Sequence, residues 1–147
     1  VRVKIMGERS RFSKEVLDMI AYIEETTADA ERLTLVLAFN YSSRREITLG
    51  VQDIARRVAN GTLKAEDINE QTIAESLMTA QMPDPDMIIR TSGECRLSNF
   101  LLWQSSYAEF YFPETLWPDF TEEEFDKAIE VFSKRDRRYG LVTETKE

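Results

Sequence analysis

Four stretches of this 147-residue chain carry residue types that could do chemistry. The densest is Ile89-Arg90-Thr91-Ser92-Gly93-Glu94-Cys95-Arg96-Leu97-Ser98-Asn99. Two guanidiniums, a hydroxyl and the free backbone N–H groups of a glycine-containing turn are what a diphosphate requires. Arginine keeps its charge and planar fork where a lysine could deprotonate or reorient. Residue types alone leave two readings open: an anion site, or a structural loop whose arginines pair with nearby carboxylates. The second stretch, Asn99 to Phe112, is aromatic and apolar, and sets Glu109 among Tyr107, Phe110, Tyr111 and Phe112. A carboxylate there is costly unless paired or bound to a metal, yet the solvent side of an edge strand would suit it equally. The third, Asn40-Tyr41-Ser42-Ser43-Arg44-Arg45-Glu46, reads as a polar strand-to-helix loop, with Ser43 and Glu46 at capping-box spacing. The fourth, Arg135 to Gly140, closes the last helix, and basic residues at a helix C-terminus have an ordinary dipole explanation.

Other chemistries are excluded by what is missing. There is no histidine, which removes Ser-His-Asp and Cys-His catalysis and His-ligated zinc within the chain. The one cysteine, Cys95, forms no intrachain disulfide and has no second thiol or imidazole to activate it. It suits a reducing, cytoplasmic setting.

The elements that hold these residues alternate between strand and helix. Val1 to Met6 reads as a strand, followed by Gly7 as a turn. A helix starts with Ser13 as N-cap and carries the stripe Val16, Leu17, Ile20 and Ile23. Leu33 to Phe39 is nearly continuous apolar β-former, as expected of a strand buried on both faces. A helix with Ile47, Val51, Ile54 and Val58 on one side follows and stops near Gly61. A third helix is expected through Thr72, Ile73, Leu77 and Met78, ending before Pro83. Asp86 to Arg90 is a short strand, a further helix is expected from Ser98 or Asn99, and Ala108 to Phe112 returns as a strand. Thr121 and Glu124 have capping-box spacing ahead of a last helix through Phe125, Ile129 and Phe132. The alternation implies an α/β fold, a mainly parallel sheet with flanking helices, in one domain over 1–147 with a tail from 140. In such sheets ligands bind beyond the carboxyl ends of the strands, where the Asn40 and Arg90 loops lie.

Composition narrows the partners. Lys and Arg total 19 against 27 Asp and Glu, a formal net charge of -8, which argues against a nucleic-acid binder. No apolar run reaches the roughly 18 residues of a membrane span, and no signal peptide is visible.

Taken in order, Ile88-Ile89-Arg90-Thr91-Ser92-Gly93-Glu94-Cys95-Arg96-Leu97-Ser98-Asn99-Phe100, then Tyr107-Ala108-Glu109-Phe110-Tyr111-Phe112, then Leu116 to Phe120, resemble the cis-prenyltransferase family. The bacterial undecaprenyl diphosphate synthase type is the nearest match. The Asn40-Tyr41-Ser42-Ser43-Arg44 segment and Arg138-Tyr139-Gly140 match in order and spacing, so the resemblance covers nearly the whole chain.

The resemblance implies an enzyme that condenses isopentenyl diphosphate onto farnesyl diphosphate with new cis double bonds, making the C55 lipid diphosphate of cell-wall glycan carriers. By motif, Arg90, Arg96, Leu97 and Ser98 would bind isopentenyl diphosphate, Glu109 would help hold Mg²⁺, and Arg138 and Gly140 would complete the substrate site at a homodimer partner. Leu33 is a candidate floor for the product tunnel, or ordinary sheet core. The lipid product implies peripheral membrane contact for a cytoplasmic protein. One departure stands out: the family's Asp-Gly-Asn-Gly-Arg-Trp-type motif, an aspartate loop for metal and allylic diphosphate, is absent. Val1 corresponds to a point well inside full-length members, so the chain reads as a C-terminal part, inactive alone. Ser92 and Cys95 stand where relatives commonly carry Gly and His. Two other readings are a non-catalytic subunit of a heteromeric cis-prenyltransferase and an unrelated α/β phosphate-binding module.

Overall fold

A computed structural model describes residues 1–135 of the chain. It divides into two compact units, Val1–Pro83 and Asp84 onward.

In the first unit, β1 (Arg2–Met6) leads to α1 (Lys14–Thr26), then β2 (Thr34–Ala38), α2 (Ser43–Ala59) and α3 (Glu70–Glu75). β1 and β2 pair in parallel, Arg2 opposite Thr34 and Met6 opposite Ala38. The Ser13 cap forms as expected, its hydroxyl accepting from the Val16 N–H. The outer edge of β1 is closed by α1: the Val3 N–H donates to Thr27 Oγ1 at 3.0 Å and the Ile5 N–H to Glu24 Oε1 at 2.9 Å. Side chains thus stand where a further strand would otherwise pair. Met6, Ile20, Ile54 and Leu77 are the buried apolar residues of this unit.

β2 departs from its expected burial on both faces. Leu33, Leu35, Leu37 and Phe39 follow at the two-residue strand period, and all are exposed, Leu33 at 60% and Phe39 at 52%. Among the described residues β2 has a single strand neighbour, and nothing covers this apolar row.

The ends of the two strands approach closely. Gly7 has φ +131°, and a Cβ built there would lie 1.8 Å from the Phe39 carbonyl oxygen. Asn40 Nδ2 donates to the Glu8 carbonyl at 2.7 Å. Only a residue without a side chain permits this crossing.

α3 is shorter than expected. Asn69 caps it, with Thr72 completing a reciprocal capping box, but the helix ends at Glu75. The Ser76 and Leu77 N–H groups make tight bonds to Ile73 and Ala74. The Met78 N–H leaves the helix pattern altogether and donates to Glu46 Oε1 at 2.9 Å.

In the second unit, β3 (Met87–Ile89) and β4 (Glu109–Tyr111) pair in parallel, Met87 opposite Glu109 and Ile89 opposite Tyr111, and α4 (Glu122–Ser133) follows. Ile88 and Ala128 are its buried apolar residues. The helix expected from Ser98 or Asn99 does not form. Turns with left-handed backbone at Ser98, Asn99 and Leu101 stand there instead, and a 3₁₀ segment follows at Gln104–Tyr107. The Thr121 side chain makes no capping bond to α4. Glu124, expected to complete that box, accepts instead from Thr115 Oγ1 and Lys127.

Candidate diphosphate site

The richest polar constellation lies at the carboxyl end of β3. The strand delivers Arg90, whose N–H donates to the Tyr111 carbonyl and so continues the ladder one residue past β3. The chain then turns through Ser92 and Gly93, φ +70° and +65°. Their N–H groups bond to the carbonyls of Thr115 and Pro113, the chain leaving β4. Two successive left-handed residues suit glycine at the second position and cost strain at the serine.

Arg90 is the hub of the loop it begins. Its Nη1 donates to the Arg96 carbonyl and to Ser98 Oγ, the latter at 2.8 Å. The guanidinium thereby fixes the return of the chain at Ser98 and Asn99, whose φ values of +49° and +64° no glycine eases. Backbone strain of this kind is retained where surrounding bonds over-determine it, and it clusters at ligand sites. Arg96, more exposed, pairs with the Glu94 carboxylate. The loop therefore contains both features the residue types allowed: arginines bonded locally, and a convergence of cationic and hydroxyl donors.

Beneath this rim is a cavity of about 320 Å³ lined by Ile88, Ile89, Arg90, Arg96, Leu97, Ser98, Phe100 and Phe112. Guanidiniums and a hydroxyl at the rim above aliphatic and aromatic walls suit a ligand with an anionic head and an apolar body. Arg90, Arg96, Leu97 and Ser98 thus line one cavity. Phe100 and Phe112 join them from the aromatic run, and the sequence signal for these two was their place in that run.

Glu109 lies elsewhere. It opens β4 opposite Met87, three residues before Arg90, or roughly 10 Å back along the strand direction. Arg135, just beyond α4, donates from Nη1 to Glu109 Oε2 at 2.6 Å and from Nη2 to the Phe110 carbonyl at 3.1 Å. The helix dipole alone did not point to this partner. Among the described residues no group of three or more carboxylates, thiols or imidazoles could hold a metal ion. Arg138 and Gly140 lie outside the described residues. Cys95 is exposed, its thiol directed to the Gly93 carbonyl.

The other strand-end loop is organised differently. The N-cap of α2 is Ser42, one residue before the expected start of the box, and its side chain makes no capping bond. Glu46 is 1% exposed. It accepts from Tyr41 Oη at 2.6 Å as well as from Met78, and so ties the α2 entry to the end of α3. Arg45 grips Glu8 through Nε and Nη2, and holds its carboxyl below the ordinary range, with help from Ser10. Glu8, Arg11, Asn40, Tyr41, Ser42 and Arg45 line an open cavity of about 520 Å³.

No helix among the described residues is long and apolar enough to cross a membrane. The family model described as "Putative undecaprenyl diphosphate synthase" matches residues 1–140. An isoprenyl transferase of Agrobacterium fabrum is 51% identical over 144 residues, 98% of this chain and 58% of its own length. A ditrans,polycis-undecaprenyl-diphosphate synthase of Vibrio vulnificus, (2E,6E)-farnesyl-diphosphate specific, is 46% identical over 98% of this chain and 57% of its own. Among solved structures, lavandulyl diphosphate synthase from Lavandula x intermedia, in complex with dimethylallyl diphosphate, superposes with a TM-score of 0.92. It is 37% identical, over 95% of this chain and 60% of that one. The chain therefore spans somewhat under three fifths of the curated relatives it matches. With a parallel α/β framework, a two-arginine loop at a strand end and a family match over nearly its whole length, the chain belongs to the undecaprenyl diphosphate synthase family of prenyltransferases.

Proposed function

We propose that this chain is the isopentenyl diphosphate-binding part of a cis-prenyltransferase of the undecaprenyl diphosphate synthase type. The single observation that carries the reading is Arg90, Arg96, Leu97 and Ser98 lining one cavity with apolar walls, in a chain of this family. The diphosphate sits on Arg90, Ser98 Oγ and Arg96, which exchanges Glu94 for the ligand. The isoprenoid body lies against Ile88, Phe100 and Phe112. Two fixed guanidiniums hold the nucleophilic double bond in one orientation, which is how positioning lowers a bimolecular barrier. The electrophile is an allylic diphosphate, farnesyl diphosphate by family analogy. Its C1 bonds to isopentenyl diphosphate as its own diphosphate leaves and the isopentenyl unit gives up a proton. The product is the C55 lipid diphosphate of cell-wall glycan carriers.

Glu109 is the proposed Mg²⁺ ligand. One hard carboxylate fits this ion, which is usually bound through one or two carboxylates with phosphate oxygens and water completing its shell. When bound it supplies neutralisation of the charge that develops on a leaving diphosphate. The same proposal extends to residues 1–147 as one portion of a larger domain, to Arg138 and Gly140 completing the site in a homodimer, and to peripheral membrane contact through the lipid product. The chain alone is expected to be inactive.

Binding of labelled isopentenyl diphosphate to the 147-residue chain tests the site. Replacing Arg90 by Ala should weaken binding about tenfold to a hundredfold, the worth of hydrogen bonds to a charged group. A preference for inorganic phosphate over isopentenyl diphosphate, or indifference to Arg90→Ala, sinks the reading. Turnover with farnesyl diphosphate and Mg²⁺, beside a version extended upstream to the length of its relatives, tests the inactivity. Long-chain product from the short chain alone would overturn that part.

A further inference from the structure

The pair formed by Glu109 and Arg135 is not explained by the diphosphate site. In β4, the Glu109 N–H donates to the Asp86 carbonyl and the Tyr111 carbonyl accepts from Arg90. These two residues therefore face β3, and the peptide groups of Phe110 face the other edge. Arg135 closes that edge. One arm of its guanidinium takes the Phe110 carbonyl and the other takes Glu109 Oε2, so a single side chain ties the end of α4 to β4. The Glu109 side chain is 23% exposed and that of Arg135 43%, which leaves the carboxylate within reach of an ion from solvent. Arg135 takes Oε2, so a divalent cation arriving at Oε1 of the same carboxylate would stand beside the guanidinium, and the two positive charges would repel strongly.

We infer that Arg135 is the resident counter-cation of Glu109, and that a divalent cation is taken at this carboxylate only in exchange for the guanidinium, which releases the end of α4 from β4. The inference rests on the proposed assignment of Mg²⁺ to Glu109, and goes beyond it by coupling cation uptake to the docking of a helix end. Arg135 is then a positioning residue: with no cation bound it holds Glu109 oriented and only part-exposed, and it sets the threshold for loading. By linkage, whatever draws Arg135 away from β4 tightens cation binding by the same factor.

The test is a Mg²⁺ titration of the ¹⁵N-labelled 147-residue chain, read at the amides of Glu109 to Tyr111 and at the Arg135 guanidinium protons. In the unaltered chain the docked Arg135 signals should be lost along the same binding curve that moves the β4 amides. Replacing Arg135 by Met should tighten Mg²⁺ binding about tenfold, since a hydrogen bond to a charged group no longer competes. Arg135→Lys should fall between the two. Docked Arg135 signals that persist at saturating Mg²⁺ would overturn the exchange, as would unchanged affinity in an Arg135→Met chain that keeps its β4 amide pattern. Should Arg135→Met not fold, the guanidinium readout of the unaltered chain and Arg135→Lys still decide. Glu109→Gln separates the two layers: it should abolish saturation. If it binds Mg²⁺ as the unaltered chain does, the assignment of Mg²⁺ to Glu109 fails and takes the exchange with it. If it loses Mg²⁺ while Arg135→Met changes nothing, only the exchange fails.

Discussion

The two units spend their charged residues differently. In Val1–Pro83 the acidic groups secure the framework: Glu24 closes the edge of β1 and holds Arg9, Glu8 holds Arg45, and buried Glu46 joins Tyr41 to Met78. Two of its helices are long, 13 residues in α1 and 17 in α2, its severe backbone crossing falls on a glycine, and Asn40 is its left-handed non-glycine residue. The second unit has strands of three residues and places left-handed backbone on Ser92, Ser98, Asn99 and Leu101. The loop after β3 is held by the same arginine that lines the cavity at that strand's end. Where helices, the buried Glu46 and the part-exposed Glu8 and Glu24 supply rigidity, charges are consumed by structure. Where loops carry the geometry, strained residues and locally bonded arginines stand together at the rim of a cavity.

Substitutions in the first unit can break this contrast. The largest effect is expected of Gly7→Ala, which sets a Cβ into the Phe39 carbonyl and should cost about 3 kcal/mol or more. The readout is convenient because both tryptophans, Trp103 and Trp117, lie in the second unit. Far-UV circular dichroism in urea should show α1 and α2 lost at lower denaturant, with tryptophan fluorescence little moved. Equal shifts in both signals would mean that the units unfold together and that the division has no energetic content.

Glu46→Ala comes next. It takes away the carboxylate that the part-buried Met78 N–H and Tyr41 hydroxyl share, at about 2 kcal/mol. Hydrogen exchange at the Met78 amide should quicken, and Glu46→Gln should restore part of the protection. Isopentenyl diphosphate binding should be unchanged in both variants. A binding loss as large as that of Arg90→Ala would place Glu46 in the site and blur the contrast.

The smallest effect is a pH dependence. Burial by itself raises the Glu24 carboxyl, but the Ile5 N–H and Arg9 outweigh it and hold the group below its ordinary 4.5. A carboxyl lowered in the folded state stabilises above its ordinary value, and that contribution is lost as pH falls through the lowered one. Glu24→Gln should therefore flatten the acid side of the first unit's stability profile, below about pH 4.5, and leave the neutral region nearly level. An unaltered acid slope would assign it to other carboxylates.

Much of this was legible in residue order. Ser13 caps α1, the strands pair in parallel, and Arg90, Arg96, Leu97 and Ser98 converge, because local propensity and a short loop suffice to bring them together. The failures share a cause. Ser98 and Asn99 read as a helix start, yet Arg90, eight residues back, holds Ser98 Oγ in a left-handed turn. Leu77 and Met78 read as helix, yet Glu46, from 32 residues away, takes the Met78 N–H. Glu46 and Glu124 read as capping residues, yet Glu46 accepts from the Met78 N–H and Glu124 from the Thr115 hydroxyl.

By itself, then, the order of residues determined the alternation of strand and helix, the set of cationic and hydroxyl side chains in the Arg90 loop, and the exclusion of histidine and intrachain disulfide chemistry within this chain. Those depend on side-chain type and on neighbours within a few positions. Only the tertiary structure decided that Glu109 faces Arg135, that Glu46 is buried between two elements and that the apolar row of β2 is exposed. Each is a competition among partners distant in the chain. A carboxylate accepts from whichever donor the fold brings to it, and periodicity carries no record of which donor that is.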